Sequence, residues 1–259
     1  MITSTKNTKI KDIKALQAKK KNRINNGLFV VEGIRILEEA LGSGLVPTLA
    51  LYTENINERG EKVIEDAKIL GAKVETVMPH VMSAVSDTET PQGILMLFPF
   101  PEITKPAKLS SVLILDKIRD PGNMGTLLRS ASAADFSAIW LSPDCVDPFS
   151  PKVVRSGMGA HFKILIKSLE YDDIAVNLDN HKLKLFVSEM DADINYTDAN
   201  FTHPSAIVVG SEAVGTSKEL INIPHTKIKI PMPGNVESLN AAIAGSLLMF
   251  ELVRQRTGV

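Results

Sequence analysis

Residues 112–129 read VLILDKIRDPGNMGTLLR. The run begins with four apolar residues, as buried parallel strands do, turns at Asp120-Pro-Gly122, and continues into a predicted helix from about Thr126 to Ala134. Gly122 and Gly125 allow another group to approach the backbone closely, and the start of a helix offers free N–H groups to an anion. The pattern therefore predicts a ligand-binding loop, although a plain turn and helix cap is the commoner origin of an isolated Gly-x-x-Gly.

Two later segments have the same strand-then-loop character. Residues 206–215, AIVVGSEAVG, predict a strand that ends near Gly210, with the carboxylate of Glu212 just beyond it. Residues 228–242, IKIPMPGNVESLNAA, predict a strand, an irregular proline loop and a final helix from Leu239 to about Gln255. Ser238 is the predicted N-cap of that helix, which leaves Asn240 inside the helix, where asparagine is unfavourable. Glu212 could equally be a helix-cap acid.

The remaining pattern is alternating α/β in both halves of the chain, which predicts an open, doubly wound parallel sheet in the second half with ligands at the carboxyl ends of its strands. Pro99, Pro101 and Pro106 indicate a stiff linker. We therefore predict two domains, residues 1–104 and residues 105–259. Further strands of the second half are predicted at 138–141, 163–166, 184–187, 206–209 and 227–230.

Composition excludes several classes of protein. The chain has 259 residues, 44% of them hydrophobic, which suits a globular protein with a real core. No apolar run approaches the roughly 20 residues of a membrane span, and no signal peptide is recognisable, so we predict a cytoplasmic protein without membrane contact. Cys145 is the single cysteine, which rules out an internal disulfide, and the five histidines show no close pairing. We therefore expect no metal site.

Charge is sorted along the chain, although the formal net charge is −1. Residues 1–23 carry eight basic side chains and one acid, whereas residues 24–104 carry five basic and twelve acidic ones. A basic stripe can attract phosphates even on a neutral protein, so Lys19, Lys20, Lys21 and Arg23 are candidate contacts for phosphate groups. A solvated charged helix is the alternative.

The three loops together resemble the signature motifs of the SpoU/TrmH class of the SPOUT superfamily. Members are S-adenosylmethionine-dependent RNA 2′-O-ribose methyltransferases. The match covers DPGNMGTLLRSA from Asp120, VGSEAVG from Val209 and IPMPGNVESLNAA from Ile230. The resemblance implies a parallel-sheet catalytic domain with a C-terminal trefoil knot. The sequence pattern alone does not predict a knot, because knots are rare in proteins.

The resemblance also assigns site residues. It implies that the cofactor S-adenosylmethionine is bound by backbone groups at Gly210, Ile230 and Leu239. The catalytic positions it implies are Asn123, Arg129, Glu212, Ser238 and Asn240. Because a guanidinium is effectively never neutral, Arg129 is expected to stabilise a developing alkoxide rather than to act as a base. Glu212 would orient Arg129, and the other three would position the ribose and the loops.

The segment VVEGIR, Val30–Arg35, resembles the small α/β/α RNA-binding substrate domain of these enzymes. The resemblance implies that the RNA contacts are Lys19, Lys20, Lys21, Arg23 and Arg35. The family implies a homodimer, and the substrate domain favours ribosomal RNA, 23S in particular, over transfer RNA. Alternatives are a transfer RNA 2′-O-methyltransferase, an inactive RNA-binding protein of the same fold, and a dinucleotide-binding oxidoreductase. The sequence lacks the Gly-x-Gly-x-x-Gly fingerprint of dinucleotide-binding enzymes, which argues against the oxidoreductase.

Overall fold

The computed structural model describes residues 1–104, 108–211, 215–234 and 236–258. By contacts the chain forms two compact units. Unit 1 comprises Met1–Glu102 and Asp147–Lys163, and unit 2 comprises Ile103–Val146 and Ile164–Val259. The elements up to the linker are α1 Thr8–Ala18, α2 Lys20–Asn26, β1 Leu28–Glu32, α3 Ile34–Gly42, β2 Leu49–Tyr52, α4 Glu58–Ile69, β3 Lys73–Thr76, α5 Pro79–Val85 and β4 Ile94–Pro99.

These elements build a three-layer α/β/α unit around a sheet of order β1-β4-β2-β3. Side chains alternate between the two faces of a strand, and β4 shows this clearly. Ile94, Met96 and Phe98 pack with α3 and α4 on one face. Leu95 and Leu97 pack with α1 and α5 on the other. Helix α1 buries Ile10, Ile13 and Leu16, which recur at the spacing of one helix face.

The segment Asp147–Lys163 joins unit 1 although it lies in the second half of the sequence. Its helix α7, Pro151–Gly157, and a short 3₁₀ helix, Ala160–Phe162, bring Val154 and Phe162 into the core with Phe29. Since the 3₁₀ helix occupies this stretch, the strand predicted at 163–166 begins two residues later. The predicted division of the chain into domains 1–104 and 105–259 stays a prediction.

Unit 2 is a parallel sheet with helices on both faces, so the predicted fold class is confirmed. The strand order is β7-β6-β5-β10-β8-β11-β9, and every pairing in it is parallel. Its elements are β5 Ser111–Asp116, α6 Pro121–Ala133, β6 Ala138–Leu141, β7 Leu165–Ser168, α8 Tyr171–Asn180, β8 Lys184–Ser188, β9 Ile194–Asn195, β10 Ser205–Gly210, α9 Lys218–Ile221, β11 Thr226–Lys229 and α10 Ala241–Thr257.

Helices α6 and α10 pack against each other, and α10 also packs on β10. A Cβ built on Gly245 would lie 2.5 Å from Leu127 Cδ2 and 2.9 Å from Val209 Cγ2. Ser130 Oγ and Ser246 Oγ are hydrogen-bonded at 2.8 Å across the two helices. The small residues of α10 therefore serve close packing within unit 2.

Both helices start at different residues from those predicted. Helix α6 begins at Pro121, because the Asp120 carboxylate caps it by accepting from Asn123 N at 2.7 Å. The predicted cap of α10, Ser238, is wrong: Asn240 is the N-cap, and its Oδ1 accepts from Ala242 N and Ile243 N at 3.0 and 3.2 Å. Asn240 is therefore not inside the helix, and its unfavourable propensity disappears.

Candidate cofactor site

A cavity of about 640 Å³ lies in unit 2 beyond the carboxyl ends of β8, β10 and β11, where doubly wound sheets bind ligands. Its volume is within the usual range for small-molecule sites. Four predicted residues line it: Gly210, Ile230, Ser238 and Leu239. Other lining residues come from the first half of α10 and from the turn after β10, namely Ala241, Ala244, Gly245, Leu248, Gly215 and Thr216.

Gly210 is required by a close approach of the backbone. A Cβ at this position would lie 2.6 Å from Gly215 C and 2.7 Å from Thr216 N, distances that no side chain tolerates. Gly215 N donates to Ser211 O at 2.8 Å. The chain therefore folds back across the end of β10 and forms one wall of the cavity.

Thr216 supplies an unsatisfied polar atom to that wall. Its Oγ1 is buried and has no hydrogen-bond partner among the described residues. Buried hydroxyls are normally paired, so this atom is suited to a ligand. The backbone cradle at Gly210, the free hydroxyl and the mixed apolar lining fit a nucleoside-sized group such as S-adenosylmethionine.

An ion pair borders the cavity on the side of β8 and β11. Lys227 Nζ lies 2.5 Å from Glu189 Oε2 and 3.8 Å from Asp191 Oδ1, and all three residues line the cavity. Hydrogen bonding to Glu189 raises the pKa of Lys227. Sequence reasoning missed this pair, because the segment after β8 carries no recognisable motif.

The first and third motifs meet at the starts of their helices. Asn240 Nδ2 donates to Asn123 Oδ1 at 2.9 Å. Arg129 lies one turn beyond Gly125 on α6 with an exposed side chain, and no ion pair of Arg129 occurs among the described residues. Glu212 falls outside the described residues, so its predicted role stays a prediction.

Asp116 has no role that the sequence predicts, although it directly follows the apolar run of the first motif. It ends β5 and is fully buried. Its Oδ1 accepts from Ser142 Oγ at 2.7 Å and Tyr171 Oη at 3.0 Å, and its Oδ2 accepts from Ser217 N at 2.6 Å. No pattern in the sequence joins these four residues, which come from the end of β5, the residue after β6, the start of α8 and the N-cap of α9.

One predicted RNA contact is corrected by the structure. Arg23 is 4% exposed, its guanidinium pairs with Asp147, and it also donates to Gln17 O at 3.0 Å. An arginine held in this way cannot reach a phosphate, so Arg23 is a structural residue. Lys19, Lys20, Lys21 and Arg35 are exposed in unit 1, as an RNA contact requires.

Other chemistry is limited in the described part of the chain. Among those residues, no group of three or more His, Cys, Asp or Glu side chains could hold a metal ion. None of the described helices is long and apolar enough to cross a bilayer. Burial raises the pKa of the Cys145 thiol, which donates to Leu115 O, so this thiol is a poor nucleophile at neutral pH.

Comparison with known proteins gives two matches to families. Residues 110–250 match the SpoU rRNA methylase family, and residues 7–96 match the MRM3-like substrate-binding domain. The chain belongs to the SpoU rRNA methylase family. The family resemblance inferred from the three motifs is thereby confirmed.

Relatives in this family match nearly the whole chain. The 23S rRNA (guanosine(2553)-2′-O)-methyltransferase RlmP of Bacillus subtilis is 32% identical over 252 residues, covering 97% of this chain and 98% of RlmP. A crystal structure of an RNA 2′-O ribose methyltransferase has a TM-score of 0.84 at 31% identity and covers 99% of both chains. An AdoMet-bound rRNA methyltransferase from Sinorhizobium meliloti has a TM-score of 0.86 at 30% identity, covering 98% of this chain and 97% of that one.

Proposed function

We propose that the protein transfers a methyl group from S-adenosylmethionine to a ribose 2′-hydroxyl of ribosomal RNA, specifically 23S RNA. The observation that carries this proposal is the cavity at the strand ends, which is lined by Gly210, Ile230 and Leu239. These are the positions at which the family resemblance implies cofactor binding. The similarity to RlmP, which is named for 23S rRNA, supports the substrate.

Residues of the chain have separate tasks in this reaction. When bound, S-adenosylmethionine supplies a methyl group already activated by its sulfonium. Gly210, Ile230 and Leu239 hold the cofactor through their backbone groups. What remains for the protein is to align the ribose hydroxyl with the methyl group and to stabilise the charge that develops on the oxygen.

Arg129 is the proposed source of that stabilisation. Its permanently charged guanidinium can face an alkoxide or grip the neighbouring phosphate. Glu212 is proposed to orient Arg129. Asn123, Ser238 and Asn240 are proposed to position the ribose and the loops, a role supported by the hydrogen bond between the two asparagines.

We further propose that unit 1 binds the RNA through Lys19, Lys20, Lys21 and Arg35. All four side chains are exposed. The three lysines lie at the junction of α1 and α2, away from the buried apolar residues of α1, so their charges remain available to phosphates. The match of residues 7–96 to a substrate-binding domain supports this assignment.

A homodimer is the proposed assembly. Ile243, Leu247 and Phe250 of α10 are 54%, 39% and 48% exposed. They recur at the spacing that places residues on one face of a helix, and exposed apolar stripes of this kind mark association sites.

We also propose the family's trefoil knot in the second half of the chain, and a cytoplasmic location, since ribosomal RNA is the proposed substrate.

The test is a methylation assay with labelled S-adenosylmethionine and RNA from a strain that lacks the gene. We expect label in 23S RNA, in a dinucleotide that resists alkaline hydrolysis because its 2′-oxygen is blocked. Label in transfer RNA alone would contradict 23S RNA as the substrate and would identify a transfer RNA 2′-O-methyltransferase. Binding of RNA without any transfer would identify an inactive RNA-binding protein of the same fold.

A further inference from the structure

A fully buried carboxylate lies beside the cofactor cavity without lining it. Asp116 is the last residue of β5, and its Cα is paired with Gly210, the last residue of β10. Burying a charge is costly unless hydrogen bonds compensate it. Three donors do so here: the hydroxyls of Ser142 and Tyr171 and the backbone amide of Ser217.

The bond to Ser217 connects this carboxylate to the cavity wall. Ser217 directly follows Gly215 and Thr216, which line the cavity. The distance of 2.6 Å between Asp116 Oδ2 and Ser217 N is that of a short, charge-assisted hydrogen bond. The opposite side of the turn rests on Gly210, where there is no room for a side chain.

The two hydroxyls fix the carboxylate from the other direction. Ser142 follows β6 and Tyr171 begins α8, and both donate to Asp116 Oδ1. Ser142 Oγ also accepts from Lys117 N at 3.0 Å. Asp116 is thus held by the residue after β6 and by the first residue of α8, while it holds the backbone amide of Ser217.

We propose that Asp116 is a positioning residue for the cofactor: its carboxylate anchors the turn Gly215–Ser217 so that the backbone wall and the Thr216 hydroxyl are preorganised for S-adenosylmethionine. Asp116 does not line the cavity and is therefore not a catalytic residue. The inference rests on the proposed function, since it concerns the same cofactor.

The first measurement is calorimetric titration of S-adenosylmethionine into folded Asp116→Ala. Loss of a charge-assisted bond that orders a binding wall should raise the Kd at least about tenfold. Hydrogen exchange of the Ser217 amide, measured without cofactor, should become faster. Asp116→Asn should rescue binding to within about threefold, because its carbonyl accepts from Ser217 N while its amide donates to the two hydroxyls.

Glu251→Ala is the matched control. Glu251 is also a buried carboxylate of unit 2, 8% exposed, but it accepts hydrogen bonds from Arg254 and Gln255 of its own helix rather than from the turn Gly215–Ser217. Removal of a carboxylate that has only a structural role lowers the midpoint of unfolding and leaves the Kd of the folded protein for S-adenosylmethionine unchanged. We expect that result for Glu251→Ala and not for Asp116→Ala.

The following outcomes decide the inference. A Kd of Asp116→Ala within about twofold of wild type overturns it, and so does an Asp116→Asn variant as weak as Asp116→Ala, since a side chain that still accepts from Ser217 N would then fail to order the wall. If Asp116→Ala does not fold, the double variant Ser142→Ala/Tyr171→Phe replaces it. An unchanged Kd in that variant overturns the inference, and a raised Kd supports it. Failure of the wild-type protein to bind S-adenosylmethionine contradicts the proposed function instead.

Discussion

Asn240 caps helix α10 with its side-chain oxygen while its side-chain nitrogen donates to Asn123 at the start of helix α6. One residue of the third motif therefore both starts helix α10 and fixes the motif's position relative to the first motif. Asn123 N is itself capped by Asp120. The two helix starts form a hydrogen-bonded unit next to the cavity.

Substitution of Asn240 separates these two tasks. Asn240→Ala should lower the free energy of unfolding by about 1 kcal/mol through loss of the cap. Asn240→Asp keeps an oxygen that can cap and removes the amide that donates to Asn123. We expect Asn240→Asp to have near wild-type stability in urea denaturation and to share the reduced methyl-transfer rate of Asn240→Ala. Full activity of Asn240→Asp would exclude the bond to Asn123 from function.

Arg129→Ala should lose methyl transfer and keep the cofactor. The side chain is exposed on α6 and does not line the cavity, so calorimetry should give an unchanged Kd for S-adenosylmethionine. Loss of a group that stabilises developing charge should slow transfer by about 10²–10³-fold. Arg129→Lys keeps the positive charge but loses the planar, bidentate guanidinium, and its transfer rate should lie between those of the wild type and Arg129→Ala. Turnover of Arg129→Ala near the wild-type rate would show that the role of Arg129 is wrong.

Neutralising Lys19, Lys20 and Lys21 to Gln should weaken RNA binding and flatten its dependence on salt. Each lost phosphate contact should reduce the slope of log affinity against log salt by roughly 0.7–0.9. Lys62→Gln on α4, an exposed lysine outside the proposed contact, is the control for a change of charge alone. An unchanged slope in the triple variant would remove these lysines from the interface.

His161 should make stability depend on pH. The ring is 1% exposed, its Nε2 lies 2.7 Å from Pro148 O, and burial lowers its pKa to about 4. Between this value and the ordinary pKa of about 6.5, the unfolded chain binds a proton that the folded chain does not. The stabilisation is therefore complete above about pH 6.5 and is lost as the pH falls towards 4.

Urea denaturation from pH 7 to pH 4.5 measures this dependence. His161→Asn should be less stable at pH 7 and should show a flatter decline with falling pH. The control is His203→Asn, because the His203 side chain is exposed. Equal slopes for wild type and His161→Asn would mean that other groups cause the acid sensitivity.

Most of the fold of unit 2 and part of the site were predictable from the sequence. Buried parallel strands are continuous apolar runs, so β5, β6, β8 and β10 were placed within one or two residues. Gly210, Ile230 and Leu239 were placed by resemblance to family motifs, and the structure brings them to one cavity.

The failures have a common physical origin, which is contact between residues distant in sequence. Arg23 was counted as a surface cation because nothing local reveals its partner, Asp147, which lies 124 positions away. Asp116 was passed over for the same reason, since its donors come from three other loops. The cap of α10 was misplaced because Ser238 and Asn240 are both good N-caps, and the tertiary bond from Asn240 to Asn123 cannot be seen in the local sequence.

The most direct test of the account is a crystal structure of the protein with S-adenosylmethionine. We predict the cofactor in the cavity at the strand ends, in contact with the backbone at Gly210, Ile230 and Leu239, and no cofactor in Gly210→Ala crystals, where a Cβ would lie 2.6 Å from Gly215 C. Cofactor bound elsewhere, or no cofactor between the turns at 210–216 and 230–239 of the wild-type protein, would contradict the account.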